Sequence, residues 1–339
     1  MSDVPVFDGH SDLPFRVVRE RDPDGERSVV GSEFLPAMRA NGVLGRIAAV
    51  YVHDDFVPAM AVRRGLRTIQ ALYDDVARAD GVDVVRTAAA VRANAAAGTA
   101  SLVLGLEGAE PLGRDPALLD VYHRLGVRVL GLTHARRNFA GDGATLRPET
   151  AREVHEGGLS VFGQDLVERA GDLGVVVDTA HLNERGFFDA VALADDPVLN
   201  THSNCRAIAD HPRNLTDDQI EAVAETGGVV GLTALPFALG PDRPTVEDLL
   251  DHVDHAVEVA GVDHVALGFD FYEYIAEYFD EGLGGDHPPV EGLRDDTDVG
   301  ALPAALADRG YTDAAVRKVA WENQLRVLEA VVDDRPQAS

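Results

Sequence analysis

The 339 residues include one lysine, one cysteine and one tryptophan. With Cys205 as the only cysteine, no intrachain disulfide can form, and nothing in the chain points to an oxidising compartment. No apolar run approaches the ~20 residues of a membrane span. The opening Met1-Ser2-Asp3-Val4-Pro5 lacks the basic and apolar regions of a signal peptide. A soluble, cytoplasmic protein is the expectation.

The shortage of lysine goes with a surplus of acid. Lys318 is the only lysine, Lys+Arg total 30 against 58 Asp+Glu, and the formal charge is −28. Such a balance repels nucleic acid phosphates and anionic membrane surfaces, which argues against both as partners. Acid surplus without lysine fits the cytoplasm of a salt-accumulating halophile, where molar salt shortens the Debye length to about 3 Å. Lowering the salt to about 0.1 M, where that length is about 10 Å, should then lower the thermal midpoint. An unchanged midpoint across that range would mean the acidity is not a salt adaptation.

The chain is 45% hydrophobic, enough for a large core, and no linker or composition break divides it. The expectation is a single domain over residues 1–335. Eight apolar, β-branched runs stand out, at residues 4–8, 45–52, 101–105, 127–132, 174–178, 198–201, 228–232 and 264–268. Several are continuous rather than alternating, as strands buried on both faces should be. Helical stretches lie between most of them, among them 57–79, 115–125, 162–173, 217–225 and 245–260, and a last helix is expected over 312–332. Eight β-then-α units describe an α/β fold, a (β/α)₈ TIM barrel, although an open doubly wound sheet shares the local pattern. Two irregular stretches interrupt it: 138–158, a candidate functional loop, and 279–298, expected to cover the barrel mouth or contact another subunit.

Polar residues at the strand ends favour the barrel. His10 and Asp12 end the first run, and Glu107, His134, His181, His202 and Asp270 follow later ones. A barrel brings all those ends to one face, whereas an open sheet spreads them along an edge. An imidazole and a carboxylate side by side at a strand end form half a site for a divalent metal such as zinc. Taken singly, each histidine is as readily a hydrogen-bonded structural residue, and Glu107 or Asp12 a loop or cap carboxylate. Together they describe a metal site, in which a carboxylate can bridge two metals about 3.5 to 4 Å apart, the arrangement of many hydrolases. Lys318, in the last helix, is badly placed to serve as a carboxylated bridging lysine.

The stretches Asp8-Gly9-His10-Ser11-Asp12-Leu13-Pro14, Gly105-Leu106-Glu107-Gly108 and Leu132-Thr133-His134 resemble, in order, the renal or membrane dipeptidases of peptidase family M19. So do Gly158-Leu159-Ser160-Val161-Phe162-Gly163, Val177-Asp178-Thr179-Ala180-His181, Thr201-His202-Ser203 and Pro212-Arg213-Asn214-Leu215-Thr216-Asp217-Asp218. Gly268-Phe269-Asp270-Phe271 and Glu322-Asn323-Gln324-Leu325-Arg326-Val327 complete the series, which covers nearly the whole chain.

The resemblance implies a metallodipeptidase on an amidohydrolase-type barrel, with two Zn²⁺ per chain, other divalent metals being alternatives. His10 and Asp12 would bind one, His181 and His202 the other, and Glu107 would bridge them. His134 and Arg213 would contact a small peptide substrate, Asp270 would act as acid/base, and a hydroxide shared by the metals would attack the amide. It also implies a homodimer. Tyr272 stands where the family often has a second aspartate, and Ser11 where asparagine is frequent. Two alternatives remain open: hydrolysis of another amide (an N-acyl amino acid, a lactam or an L,D-dipeptide), and a non-catalytic metal-binding barrel.

Overall fold

A computed structural model describes residues 4–20, 27–146, 156–278 and 288–333. Nine parallel strands form one sheet: β1 (Val6–Ser11), β2 (Val43–Tyr51), β3 (Val82–Val85), β4 (Ala100–Glu107), β5 (Val127–Gly131), β6 (Val176–Asp178), β7 (Leu199–Asn200), β8 (Val229–Leu232) and β9 (Val265–Leu267). Eight of them run in the order β1-β2-β4-β5-β6-β7-β8-β9, and all eight coincide with the apolar runs of the sequence. The sequence reading missed β3. It pairs with residues Ala100 to Val103 of β4, while β5 pairs with Leu104 to Leu106 and β2 lies on the other edge throughout. β3 and β5 therefore share one edge of β4, and β3 is an extra strand at the foot of the barrel.

The two ends of the sheet meet through a side chain. Phe269 N donates to Asp8 Oδ1 at 2.9 Å, and Asp270 N donates to His10 O at 3.4 Å, across the β1/β9 seam. With that seam joined, the fold is a (β/α)₈ barrel.

Alternation along the strands separates two cores. Phe7, Ile47, Val103, Val129, Val176, Leu199, Val229 and Ala266, one from each barrel strand, form a buried cluster with Trp321, Leu325 and Leu328 of the last helix. This is the inner ring, and that helix plugs the N-terminal mouth beneath it. The neighbouring strand residues, such as Val6, Ala48, Leu102, Leu104, Val177, Val230 and Leu267, pack outward into the core shared with the surrounding helices.

Those helices are α1 (Leu13–Glu20), α2 (Leu35–Ala40), α3 (Ala61–Val76), α4 (Ala88–Ala96), α5 (Leu118–Arg124), α6 (Val161–Leu173), α7 (Glu184–Leu193), α8 (Asp217–Glu225), α9 (Pro236–Leu239), α10 (Val246–Ala260) and α11 (Leu302–Asp308). Several start where the sequence supplies a cap. Ser160, Asn183 and Thr216 each accept from a backbone N–H of the first turn, and Thr216 and Gln219 form a capping box. Each such cap contributes about 1 kcal/mol. The last helix is continuous but not uniform, because α12 (Asp313–Arg317) and α13 (Asn323–Leu328) alternate with π-type turns over Lys318–Glu322 and Glu329–Asp333.

Two residues up each strand from the inner ring come Gly9, Ala49, Gly105, Gly131, Asp178, Thr201, Gly231 and Gly268. Six of these eight are Gly or Ala, so the second ring adds little side-chain bulk inside the barrel. A Cβ on Gly268 would lie 1.8 Å from Thr201 O, and one on Gly231 would lie 2.2 Å from it, so a strand carbonyl occupies the space their side chains would need. Above this ring, at the C-terminal ends of the strands, the polar side chains gather.

Candidate active site

Glu107 is the centre of the constellation. It ends β4 two residues above Gly105 and, by alternation, points inward. Its Oε1 lies 3.0 Å from His181 Nε2, 3.5 Å from His10 Nε2, and 3.9 Å from both His134 Nε2 and His202 Nε2. His202 Nε2 is 2.8 Å from His181 Nε2. Asp270 sits opposite, with Oδ1 3.7 Å from His10 Nε2 and Oδ2 4.0 Å from His202 Nε2. Asp12 joins His10 and Glu107, with ligand atoms within 4.8 Å of one another. The same holds for Glu107, His134 and His181, and for His10, His202 and Asp270.

Four imidazoles and three carboxylates, placed by six strand ends, thus share one buried spot. The register of β1 slips between Asp8 and Ser11, so strand alternation alone does not set His10 and Asp12 on one side. They meet at Glu107 because Asp12 lies beyond the strand, where the chain turns into α1.

Electrostatics state what such a site lacks. Burial pushes the Asp12 and Glu107 carboxyls well above the ordinary range; the charge of Asp270 adds to both and that of Asp12 to Glu107, while a hydrogen bond from Glu107 eases Asp12. Burial lifts Asp270 to about 7 against the pull of Arg213. The four histidines go the other way, burial being the main cause, with His10 lowered to about 3 and His134, His181 and His202 held well below the usual value. A neutral imidazole is the ligating form, and crowded carboxylates ionise together only beside a cation. The buried Asp12 Oδ1, His10 Nε2 and His181 Nδ1 have no hydrogen-bond partner. Oxygen and imidazole donors without enough protons or partners suit divalent metal ions, so these residues fit the metal that the resemblance implies.

His181 and Asp270 are, among the described residues, the two non-glycine residues with left-handed backbone, at φ 66° and 55°. Both lie at the site, where strained backbone often serves function. His134 is the one site histidine with appreciable exposure, 16% of its side chain, which leaves it open to a substrate.

Arg213 is 3% exposed and comes in behind His202. Its Nη2 donates to His202 O at 3.0 Å and its Nη1 to Ser203 Oγ at 3.4 Å, while Nε has no hydrogen-bond partner. Its charge reaches the site, lowering all four histidines and pulling on Glu107 and Asp270. Lys318 lies outside, paired with Asp263.

The sequence reading overlooked the supports. Arg46, 1% exposed in the middle of β2, pairs with Asp8 Oδ2 at 3.2 Å and with Asp296, and so braces β1 below His10. A lone arginine inside the apolar run Gly45-Arg46-Ile47-Ala48-Ala49-Val50 was the available signal, since a buried guanidinium requires a partner. Asp296 belongs to the irregular stretch 279–298, of which 279–287 lie outside the described residues. In the other irregular stretch, 138–158, residues 147–155 also lie outside them. Tyr51, ending β2 beside Glu107, holds its ring 4.7 Å from that of His134 at a tilt of 51°, and its hydroxyl accepts from Arg136 Nη1 at 3.4 Å.

A parallel barrel with buried imidazoles and carboxylates at its C-terminal mouth is the architecture of the metal-dependent hydrolases. Residues 1–338 match the family described as membrane dipeptidase, peptidase family M19. The chain belongs to that metallopeptidase family. It is 28% identical to dipeptidase verJ of Clonostachys rogersoniana, over 98% of this chain and 85% of that protein. It is 32% identical to dipeptidase tcpJ of Claviceps purpurea, over 70% of this chain but only 52% of that longer protein.

Among solved structures, a dipeptidase of metallopeptidase family M19 superposes with a TM-score of 0.86 at 32% identity, covering 98% of this chain and 99% of that one. A metallopeptidase from Rhodobacter sphaeroides, liganded with a phosphinate mimic of the dipeptide L-Ala-D-Ala, superposes with a TM-score of 0.83 at 31% identity, covering 97% and 100%. Despite the family's description, no described helix is long and apolar enough to cross a membrane.

Proposed function

We propose that this chain is a binuclear dipeptidase, hydrolysing the amide bond of dipeptides with two divalent metals, zinc foremost, held by His10 and Asp12 on one side, His181 and His202 on the other, and Glu107 between them. The observation that carries this reading is the convergence of four neutral imidazoles and three buried carboxylates around Glu107 Oε1. Such metals, when bound, polarise a carbonyl and lower the pKa of a water from 15.7 to about 7.

The remaining steps fall to the chain's own side chains. His134, partly exposed and steadied by Tyr51, donates to the oxygen of the scissile carbonyl as charge develops there. Asp270, across the site from Glu107, takes a proton from the attacking water and delivers it to the departing amine. The free N–H positions of Arg213 hold the substrate carboxylate, which selects short peptides with a free C-terminus.

The test is elemental analysis of metal-reconstituted protein, with hydrolysis of L,L and L,D dipeptides and of the same peptides blocked at the C-terminus. An L,D member is included because the Rhodobacter relative carries an L-Ala-D-Ala mimic. We expect two metals per chain and strong preference for the free carboxylate. Arg213→Lys should keep both metals and lose about tenfold or more in kcat/KM, about 1.4 kcal/mol, because an ammonium lacks the planar fork. One metal or none per chain would refute the binuclear reading. Equal turnover of blocked peptides would point to a broader amidase.

A further inference from the structure

In the second ring of the barrel, directly beneath the site, two side chains carry polar groups. They are Asp178, ending β6, and Thr201, just past β7. We propose that Asp178 and Thr201 form a hydrogen-bond relay that fixes the proton of His202 on Nδ1, leaving Nε2 bare and aimed at His181 and Glu107 to take a metal. They are positioning residues, and the inference rests on the reading of His202 as a metal ligand.

The direction of each hydrogen bond follows from counting protons. Asp178 Oδ1 accepts from Ala180 N and from Thr201 N, both at 3.0 Å, and Asp178 Oδ2 accepts from Thr201 Oγ1 at 2.7 Å. Burial raises this carboxyl, but the three donors and the charge of Arg213 hold it as the carboxylate, which has no proton to give. The single hydroxyl proton of Thr201 is therefore committed to Asp178. His202 Nδ1 lies 2.7 Å from the same Oγ1, so this contact can be a hydrogen bond only if Nδ1 is the donor. The ring is fully buried, which disfavours its charged form, and a neutral imidazole holds one proton. Nε2 is left as a lone pair, 2.8 Å from His181 Nε2 and 3.9 Å from Glu107 Oε1. A hydroxyl thus stands between the carboxylate and the imidazole, in the place where metal-bound histidines usually meet a carboxylate or carbonyl directly.

The same geometry says what an isosteric change would do. In Asp178→Asn, the amide oxygen is pinned where Oδ1 now sits, because two backbone N–H groups converge there. The amide NH₂ must then face Thr201 Oγ1 and donate to it. The hydroxyl proton turns towards His202 Nδ1, and the imidazole proton moves to Nε2, the atom a metal needs. Asn at position 178 reverses the relay, whereas Ala only removes it.

The experiment uses the full chain with ¹⁵N-labelled histidine. Long-range ¹H–¹⁵N correlation on metal-free protein reads the tautomer of His202, whose signal is identified by its loss in His202→Gln. We expect Nδ1–H in the parent and Nε2–H in Asp178→Asn. Zinc affinity, from competition with a chromogenic chelator, should fall about 10- to 100-fold at one site in Asp178→Asn and in Thr201→Val. Thr201→Ser should restore it to within about threefold, and Asp178→Asn should be at least as weak as Asp178→Ala.

Nε2–H in the parent would overturn the proposal, and so would parent-like zinc affinity in Asp178→Asn. Thr201→Ser as weak as Thr201→Val would also overturn it, because the methyl group rather than the hydroxyl would then matter. Should a variant fail to fold, the parent's tautomer alone decides. A parent that takes up no zinc would sink the metallopeptidase reading while the tautomer result still stood.

Discussion

Glu107→Gln is expected to release at least one of the two metals proposed and to lower kcat/KM on dipeptides by at least about 10³-fold, about 4 kcal/mol of transition-state stabilisation. One oxygen of Glu107 is within 3.9 Å of four imidazole nitrogens, so this side chain is shared by every part of the site. Gln keeps the shape but replaces a charged oxygen with an NH₂ that cannot face a cation. The same change should leave metal-free protein no less stable than the parent. Burial already pushes the Glu107 carboxyl well up, and Asp12 and Asp270 crowd it against only a partial pull from Arg213, so the amide relieves a repulsion that bound metal would otherwise offset. Elemental analysis, dipeptide turnover and thermal unfolding in chelator check the three parts. A variant that held two metals and kept half its activity would remove Glu107 from the bridge.

Much of this architecture was legible because burial makes polar residues conspicuous. All eight barrel strands read as apolar runs, and a histidine or carboxylate just past such a run is costly unless it has work to do, which is why His10, Glu107, His181, His202 and Asp270 stood out. The run of small residues two places below, Gly105 under Glu107 and Gly268 under Asp270, was equally visible but has meaning only once the strands close into rings. β3 escaped because Val82-Asp83-Val84-Val85 is short and half exposed, and it pairs only at the foot of β4. The helix expected from residue 57 starts at Ala61, past Pro58.

Long-range pairing was beyond reach. The charge of Arg46 could be read as needing a partner, but nothing local points to Asp296, 250 residues on. The Asp178–Thr201–His202 relay is similar: the residues lie in motifs that were noticed, yet their roles depend on which oxygen faces which hydrogen.

Asp270→Asn is expected to lower kcat by about 10² to 10⁴ while metal content stays at two per chain. The substitution isolates the proton from the backbone. Asp270 sits at φ 55°, a conformation that asparagine tolerates better than most residues, so the β9 end and its contact with His10 O should survive. Alanine would confound the two by straining that turn. Without a cation, burial pushes the carboxyl up to about 7; a carboxyl can take and return a proton, which an amide cannot do. Its oxygens stand 3.7 Å from His10 Nε2 and 4.0 Å from His202 Nε2, close enough to give and receive a proton at the reacting centre, and close enough to ligate instead. Metal analysis separates these roles. Loss of a metal in step with activity would make Asp270 a ligand, and the proton would then have to travel by His134, the one remaining site histidine open to the substrate.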